Sequence, residues 1–139
     1  MVSVIYLDER AIIALHDMAI KEFGGGEIEI RYKPIITHIS THVKEQIKGD
    51  SFDDEILLKA AYLLQSIADQ HPFFDGNKRT ALLCCFAFLG ANGYYLYGLE
   101  IKEAERFVLE LADENTKHNY KLEQVRDWLK QYVRQKPTF

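Results

Sequence analysis

Apolar residues recur at helical spacing through most of this chain, and the places where that spacing breaks divide it into elements. The first apolar stripe follows Asp8, a suitable N-cap, and predicts a helix over residues 9–23 that ends at Gly24. A wider stripe predicts a helix over residues 51–70. Pro72 ends that helix, because the residue before a proline avoids helical angles.

The same periodicity predicts further helices at residues 40–48, 78–91, 101–111 and 122–133, with a connector at 94–98. The helix at 78–91 is apolar on nearly every side, which is typical of the central helix of a domain. Its adjacent cysteines, Cys84 and Cys85, fit small core residues better than a disulfide or a metal pair.

One stretch departs from the helical period. Apolar and charged residues alternate over 27–32, Lys33-Pro34 fits a turn, and the five residues that follow could form a second strand. We therefore expect a small β-hairpin at 27–39. The prediction as a whole is an all-α helical bundle around a buried central helix, with this one hairpin, in a single domain spanning residues 1–139.

Composition narrows the classes of function. The 139 residues carry a formal net charge of −4, whereas general nucleic-acid binders usually have a basic excess, so we expect no direct nucleic-acid partner. No apolar run approaches the roughly 20 residues that cross a bilayer, and the N-terminus lacks a signal peptide's features. A cytoplasmic protein is expected, and any phosphate site must be local.

Candidate chemistry is concentrated in the loop before the central helix. The unperturbed pKa of a histidine, about 6.5, would suit His71 to act as a general base at neutral pH. Asp75 is a hard oxygen ligand, and Mg²⁺ is commonly held by one or two carboxylates together with substrate phosphates. Gly76 lets the backbone approach a ligand closely, and Phe73 is the natural apolar anchor of the loop.

The end of the loop carries the features of an anion site. Unpaired N–H groups at a helix N-terminus bind anions, and Asn77 can either cap the helix or bind phosphate with its amide. Lys78 and Arg79 lie in the first helical turn, where the helix dipole disfavours each cation by about 0.3–1 kcal/mol. Two such residues in succession indicate that an anion binds there.

Other interpretations compete with a catalytic one. Each loop residue taken singly is more often structural, and the catalytic interpretation depends on their contiguity ahead of a buried helix. A bundle whose loop binds a phosphorylated partner without turnover is one alternative. His38 and His42, four residues apart, could share a helix face as zinc ligands, but no Glu follows His38 and no third ligand is evident, which favours a partly exposed pair.

The loop resembles the signature of the Fic/Doc family, His-Pro-Phe-x-(Asp/Glu)-Gly-Asn-(Gly/Lys)-Arg, and most closely its death-on-curing (Doc) branch. The residues that carry the resemblance are His71-Pro72-Phe73-Phe74-Asp75-Gly76-Asn77-Lys78-Arg79-Thr80. Weaker similarity extends outward over residues 5–95, through Tyr6-Leu7, His16-Asp17 and the segment 88–93.

The resemblance implies a Fic fold and transfer of a nucleotide-derived phosphoryl group to a protein hydroxyl. His71 would deprotonate the target Ser, Thr or Tyr, and Asp75 would hold Mg²⁺. The phosphates of ATP would lie against Gly76, Asn77 and the cations that follow. Arg79 would neutralise their charge, and Phe73 would anchor the loop.

Two positions bear on which group is transferred. AMP-transferring relatives have a glycine where this chain has Lys78, and a second arginine where it has Leu82. Both departures favour kinase-like transfer of the γ-phosphoryl group by His71, Lys78 and Arg79, with AMP transfer as the alternative. The Doc resemblance further implies elongation factor Tu as the target and arrest of translation as the outcome.

Regulation is expected from a second protein. Neither Thr41…Glu45 nor Ser51…Glu55 is followed by the Gly or Asn of the inhibitory helix that some Fic proteins carry. The resemblance therefore implies an antitoxin that supplies such a helix in trans. The hairpin at 27–39 differs from the Gly- and Asp-containing loop of Doc proteins, and it is where a Fic protein would dock its target by strand pairing.

Overall fold

The computed structural model describes residues 3–22, 26 and 28–137. Within these residues the chain forms six α-helices and two short strands. In chain order they are α1 (Glu9–Glu22), α2 (Lys33–Glu45), α3 (Phe52–Gln70), α4 (Asn77–Ala91), β1 (Tyr94–Leu96), α5 (Ile101–Ala112), α6 (Leu122–Lys130) and β2 (Val133–Gln135), with a short 3-10 helix (Lys117–Asn119) before α6. The predicted all-α class is confirmed. The predicted end of the first helix, at residues 23 and 24, lies outside the described residues.

The helix starts follow from local hydrogen bonds. Asp8 caps α1, where its Oδ1 accepts from the backbone N–H of Ala11 at 2.8 Å. Ser51 caps α3 in the same way through the N–H of Asp54, at 3.1 Å. Each cap pairs a backbone donor that the helix itself leaves unsatisfied.

Two helices form the centre of the bundle. Helix α3 packs against α2, α4, α5 and α6, while α4 packs against α1, α3, α5 and β1. The expected central helix, α4, therefore shares that position with α3, whose Leu63, Leu64 and Ile67 are completely buried. Cys84 and Cys85 are buried and unbridged, and burial raises the pKa of the Cys84 thiol to about 12. Both cysteines are core residues.

The hairpin predicted at 27–39 is wrong at residues 33–39, which are helical, and residue 27 lies outside the described part of the chain. Residues 33–45 are the helix α2, which also replaces the shorter helix expected at 40–48. Pro34 lies in the first turn of α2, where proline is favoured, so the pair that resembled a turn is a helix start. Ile36, Ile39 and Val43 then form its buried face at helical spacing.

The strands that do pair lie elsewhere. β1 and β2 are antiparallel, with Tyr94 opposite Gln135 and Leu96 opposite Val133. The final helix therefore ends at Lys130, before the predicted limit at residue 133. Among the described residues, no helix is both long and apolar enough to cross a membrane.

A buried lysine joins α2 to α3. The ammonium group of Lys59 is completely buried and donates to the carbonyl of Val43 at 3.0 Å, near the end of α2. The carboxylate of Glu55 lies 3.4 Å from the same nitrogen. A buried charge needs such partners, so these contacts fix where α2 ends against α3.

Gly49 tests how closely the chain before α3 packs against the first turn of that helix. A Cβ atom at Gly49 would lie 2.4 Å from the backbone nitrogen of Glu55, which cannot move without shifting the helix. Because overpacking costs about 1–3 kcal/mol, we expect Gly49→Ala to lower the free energy of unfolding by that amount in urea denaturation. Gly90→Ala is the matched control, since its Cβ would meet nothing closer than 4.0 Å. An unchanged Gly49→Ala protein would contradict the packing described here.

Candidate active site

The loop between α3 and α4 is held by its own apolar anchor. Phe73 is 1% exposed, and its ring stacks on that of His16 with centroids 3.7 Å apart and planes 3° from parallel. His16 comes from α1 and is itself fully buried. The loop is therefore fastened to α1 as well as to the two helices that it joins.

The side chain of Asn77 closes the loop on itself. Its Oδ1 accepts from the backbone N–H of Phe73 at 3.0 Å, and its Nδ2 donates to the carbonyl of the same residue at 2.8 Å. The residue is buried. The helix cap is instead Gly76, in the left-handed conformation with φ +76°, where a side chain would be strained and would meet Ile20 at 3.0 Å. The amide of Asn77 thus shapes the loop, and its backbone begins α4.

A second contact fixes the backbone of Asp75. The Nε2 of His16 lies 2.7 Å from the carbonyl oxygen of Asp75, and because a carbonyl only accepts, the imidazole must donate. The backbone of Gly26 packs on the same residue, since a Cβ there would lie 3.1 Å from the Cβ of Asp75. Asp75 is therefore positioned by groups from outside the loop.

A cleft of about 650 Å³ opens beside the loop. Residues 75–79 form one wall, Ala19 and Ile20 of α1 adjoin it, and the facing wall comes from α5. Four basic side chains line the cleft, together with the carboxylates of Asp75 and Glu105; the basic residues are Lys78, Arg79, Lys102 and Arg106. Arg106 is ion-paired with Glu103 and Glu110 of its own helix, so the positive charge of the cleft comes mainly from Lys78, Arg79 and Lys102. This local positive charge contrasts with the acidic chain as a whole and suits an anionic ligand.

The cleft also has an apolar part, formed by residues that include Ile20, Leu82, Val108 and Leu109. A volume of this size lies in the ordinary range for small-molecule sites, which combine apolar walls with a few placed polar groups. The basic and apolar parts together fit a molecule that has a phosphate chain and an aromatic or apolar body.

His71 lies beside this cleft and is not among the residues that line it. It ends α3 in the left-handed conformation, with φ +50°. Its pKa is lowered, first by burial and then by the charge of Lys78, with smaller effects in the same direction from Arg31 and Lys117. The carboxylate of Asp69 acts in the opposite direction. A lowered pKa keeps the imidazole neutral, and able to accept a proton, at pH 7.

The described residues fit a magnesium ion that is shared with a ligand. They contain no group of three or more His, Cys, Asp or Glu side chains arranged to hold a metal by themselves. Asp75 lines the same cleft as Lys78 and Arg79, so one carboxylate lies where bound phosphates would complete the coordination. His38 and His42 do approach each other on α2, with ring centroids 5.3 Å apart, but His42 stacks on Tyr62 and no third ligand joins them in the described part of the chain.

The structure brings further residues to the site, namely His16, Arg31 and the basic residues of α5. His16 lies in the buried stripe of α1 with Ile12 and Ala19, and a polar residue in such a stripe is a usable signal. Arg31 carries no such signal, because the alternating pattern around it predicts a strand. The basic residues of α5 lie on an amphipathic helix, where a charged face is ordinarily exposed to solvent, so the sequence pattern does not mark them as site residues.

Comparison with known proteins gives the family. A model of the Fic/DOC family matches residues 6–89. The chain is 32% identical over 108 residues to "Toxin Doc" of Mycolicibacterium smegmatis, covering 77% of this chain and 80% of that protein. It is 34% identical over 95 residues to "Protein kinase doc" of Escherichia phage P1, covering 66% of this chain and 71% of that protein. The chain belongs to the Fic/DOC family.

Proposed function

We propose that this protein is a Doc-type toxin that transfers the γ-phosphoryl group of ATP to a hydroxyl of a target protein. The observation that carries the proposal is the cleft wall at residues 75–79, which presents a carboxylate and two cations side by side. A nucleoside triphosphate with Mg²⁺ matches that wall, and the apolar part of the cleft matches a nucleoside. The printed names of the two relatives, a toxin and a protein kinase, support the same class.

His71 is the general base of the proposed reaction. It takes the proton of the target hydroxyl as that oxygen forms a bond to the γ-phosphorus, and the bond from that phosphorus to the β–γ bridging oxygen breaks to release ADP. Because His71 lies beside the cleft and does not line it, it suits a hydroxyl that arrives with a second protein. Its lowered pKa supplies the neutral imidazole that this role needs at pH 7.

The wall of the cleft binds the phosphates. Lys78 and Arg79 neutralise the charge that spreads over the transferred group, and the backbone after Gly76 donates from the start of α4. Mg²⁺, when bound with the nucleotide, would be held by Asp75 and would offset phosphate charge. Asn77 contributes by holding the loop, since its amide is engaged with Phe73.

Kinase chemistry is favoured over AMP transfer by two side chains. Lys78 fills part of the cleft with a charged side chain where AMP-transferring relatives have glycine. Leu82 presents an apolar surface to the cleft where those relatives have a second arginine. Elongation factor Tu is the target that the Doc resemblance suggests, and an antitoxin helix lying across the cleft is the expected inhibitor.

The position of the label in ATP tests the reaction type. Incubated with Mg²⁺ and purified elongation factor Tu, γ-labelled ATP should transfer its label, and intact-mass analysis of the target should show a gain of one phosphate. Transfer from α-labelled ATP with a gain of one adenylate would overturn the kinase assignment. A Lys78→Gly variant provides the comparison, since it removes the side chain that favours γ-transfer.

Substitution of the base tests the role of His71. A general base typically contributes about 10²–10⁴-fold to the rate, so His71→Ala should lower the transfer rate by that factor. Its affinity for ATP should stay close to that of the wild type, because His71 does not line the cleft. Calorimetric titration with ATP provides the control. A modest loss of transfer would instead indicate a binding module or another base.

Substitutions of two charged residues near His71 should shift its pKa in opposite directions. Asp69 raises the pKa of His71 and Lys117 lowers it, and the two are paired at 2.7 Å. Asp69→Asn should therefore lower the pKa of His71, and Lys117→Gln should raise it. Because the neutral imidazole is the active form, the transfer rate should rise with pH through this pKa, which burial and the charge of Lys78 lower from the ordinary value of histidine. The acidic limb of the pH–rate profile should move to lower pH in Asp69→Asn and to higher pH in Lys117→Gln.

NMR titration of His71 measures the same shifts without turnover. Shifts of equal sign in the two variants, or a wild-type pKa raised above the ordinary value of histidine, would contradict the electrostatic account. An acid limb that did not follow the NMR pKa would remove His71 as the base.

A further inference from the structure

The extended segment before α2 is joined to the start of the loop through its backbone. The N–H groups of Arg31 and Tyr32 both donate to the carbonyl of Pro72, at 2.8 and 3.1 Å. Ile30 forms an isolated antiparallel bridge with Phe73. Residues 30–32 therefore run alongside the part of the loop that directly follows His71, the base proposed above.

The side chain of Arg31 continues this contact to the end of α3. Its Nε donates to the carbonyl of His71 at 2.5 Å, and its terminal NH2 group donates to the carbonyl of Gln70 at 2.9 Å. The last carbonyls of a helix have no partner within the helix and carry partial negative charge, so a guanidinium fork is well matched to them. One side chain thus holds the carbonyl groups of two successive residues.

The residue so held has an unusual backbone. His71, at φ +50°, is the one non-glycine residue with a positive φ among those described. The left-handed region is uncommon for a side chain of this size and persists only where neighbouring contacts enforce it. Fixing the carbonyl of His71 fixes the peptide plane after it, and with it the direction in which the Cα–Cβ bond projects the imidazole.

We propose that Arg31 is a positioning residue for the base: its guanidinium holds the backbone of His71 so that the imidazole meets the incoming hydroxyl. The inference rests on the proposed role of His71. Arg31 lies at the surface, yet three of its hydrogen bonds go to the carbonyls of residues 70–72. It does not line the cleft, so its effect on the reaction passes through His71.

The charge of Arg31 acts on the same imidazole. The charged groups that face His71 are Lys78 of α4, Lys117 of the 3-10 helix, Asp69 of α3 and Arg31 itself, and the three cations lower the pKa of His71 against the opposing effect of Asp69. Removing Arg31 therefore has two separable consequences, a change in backbone geometry and a rise in the pKa of the base.

Two substitutions separate these consequences. Arg31→Gln removes the charge and leaves one amide that can donate to a carbonyl. Arg31→Lys keeps the charge and loses the planar fork. Because a small displacement of a reacting group can cost about 100-fold, we expect kcat for phosphoryl transfer to fall by about 10–100-fold in both variants, with KM for ATP unchanged. Arg10→Gln, at an exposed position of α1, is the matched control and should match the wild type in both parameters.

An NMR titration of His71 distinguishes positioning from charge and needs no turnover. The pKa of His71 should rise in Arg31→Gln and stay near the wild-type value in Arg31→Lys, while the chemical shifts of the imidazole and of the His71 amide should change in both. If the variants show these shifts but the wild-type protein transfers no phosphate, the proposed function is refuted. The contact between Arg31 and the backbone of His71 then still stands.

Two results would overturn the inference. In the first, both Arg31 variants would retain wild-type kcat and wild-type His71 shifts. In the second, kcat would fall only in proportion to lost ATP binding and lost thermal stability, which would make Arg31 an ordinary structural residue.

Discussion

The site depends on the buried pair of hydrogen bonds between the side chain of Asn77 and the backbone of Phe73. These bonds close a loop that begins at the C-terminus of α3 and ends at the N-terminus of α4, the two helices at the centre of the bundle. The ring of Phe73 on His16 fastens the same loop to α1. Breaking the hydrogen bonds of a buried amide leaves polar atoms without partners and costs free energy. The loop therefore keeps its shape before any ligand binds.

That rigidity allows unfavourable placements to persist. Lys78 and Arg79 lie in the first turn of α4, against the helix dipole, and His71 holds a left-handed backbone. Lys78 and Arg79 line the cleft, and His71 lies beside it. Besides residues 75–79, the cleft is lined by Ala19 and Ile20 of α1, by Leu82 and by α5, and α5 lies beyond the segment that the family model matches. The family motif thus supplies the phosphate-facing wall, and a helix outside the matched segment supplies the wall opposite.

The sequence predicted a helix correctly wherever a single apolar stripe at helical spacing defined it. It failed at residues 33–39, where Pro34 suggested a turn although proline also starts helices, and where three isoleucines suited a strand and a helix equally. The candidate residues were found because they are contiguous. His16 contacts Asp75 across 59 positions of the chain, and Arg31 contacts His71 across 40. No local pattern reveals contacts at such separations, so they needed the folded structure.

Amide chemical-shift mapping with ATP and Mg²⁺ tests the central claim most directly, namely that a loop held by Asn77 presents its phosphate-binding wall preformed. We expect the largest perturbations at the backbone amides of residues 75–79. The side-chain amide protons of Asn77 should remain protected from exchange with and without nucleotide. Perturbations that spare residues 75–79, or release of the Asn77 amide when nucleotide binds, would contradict the account.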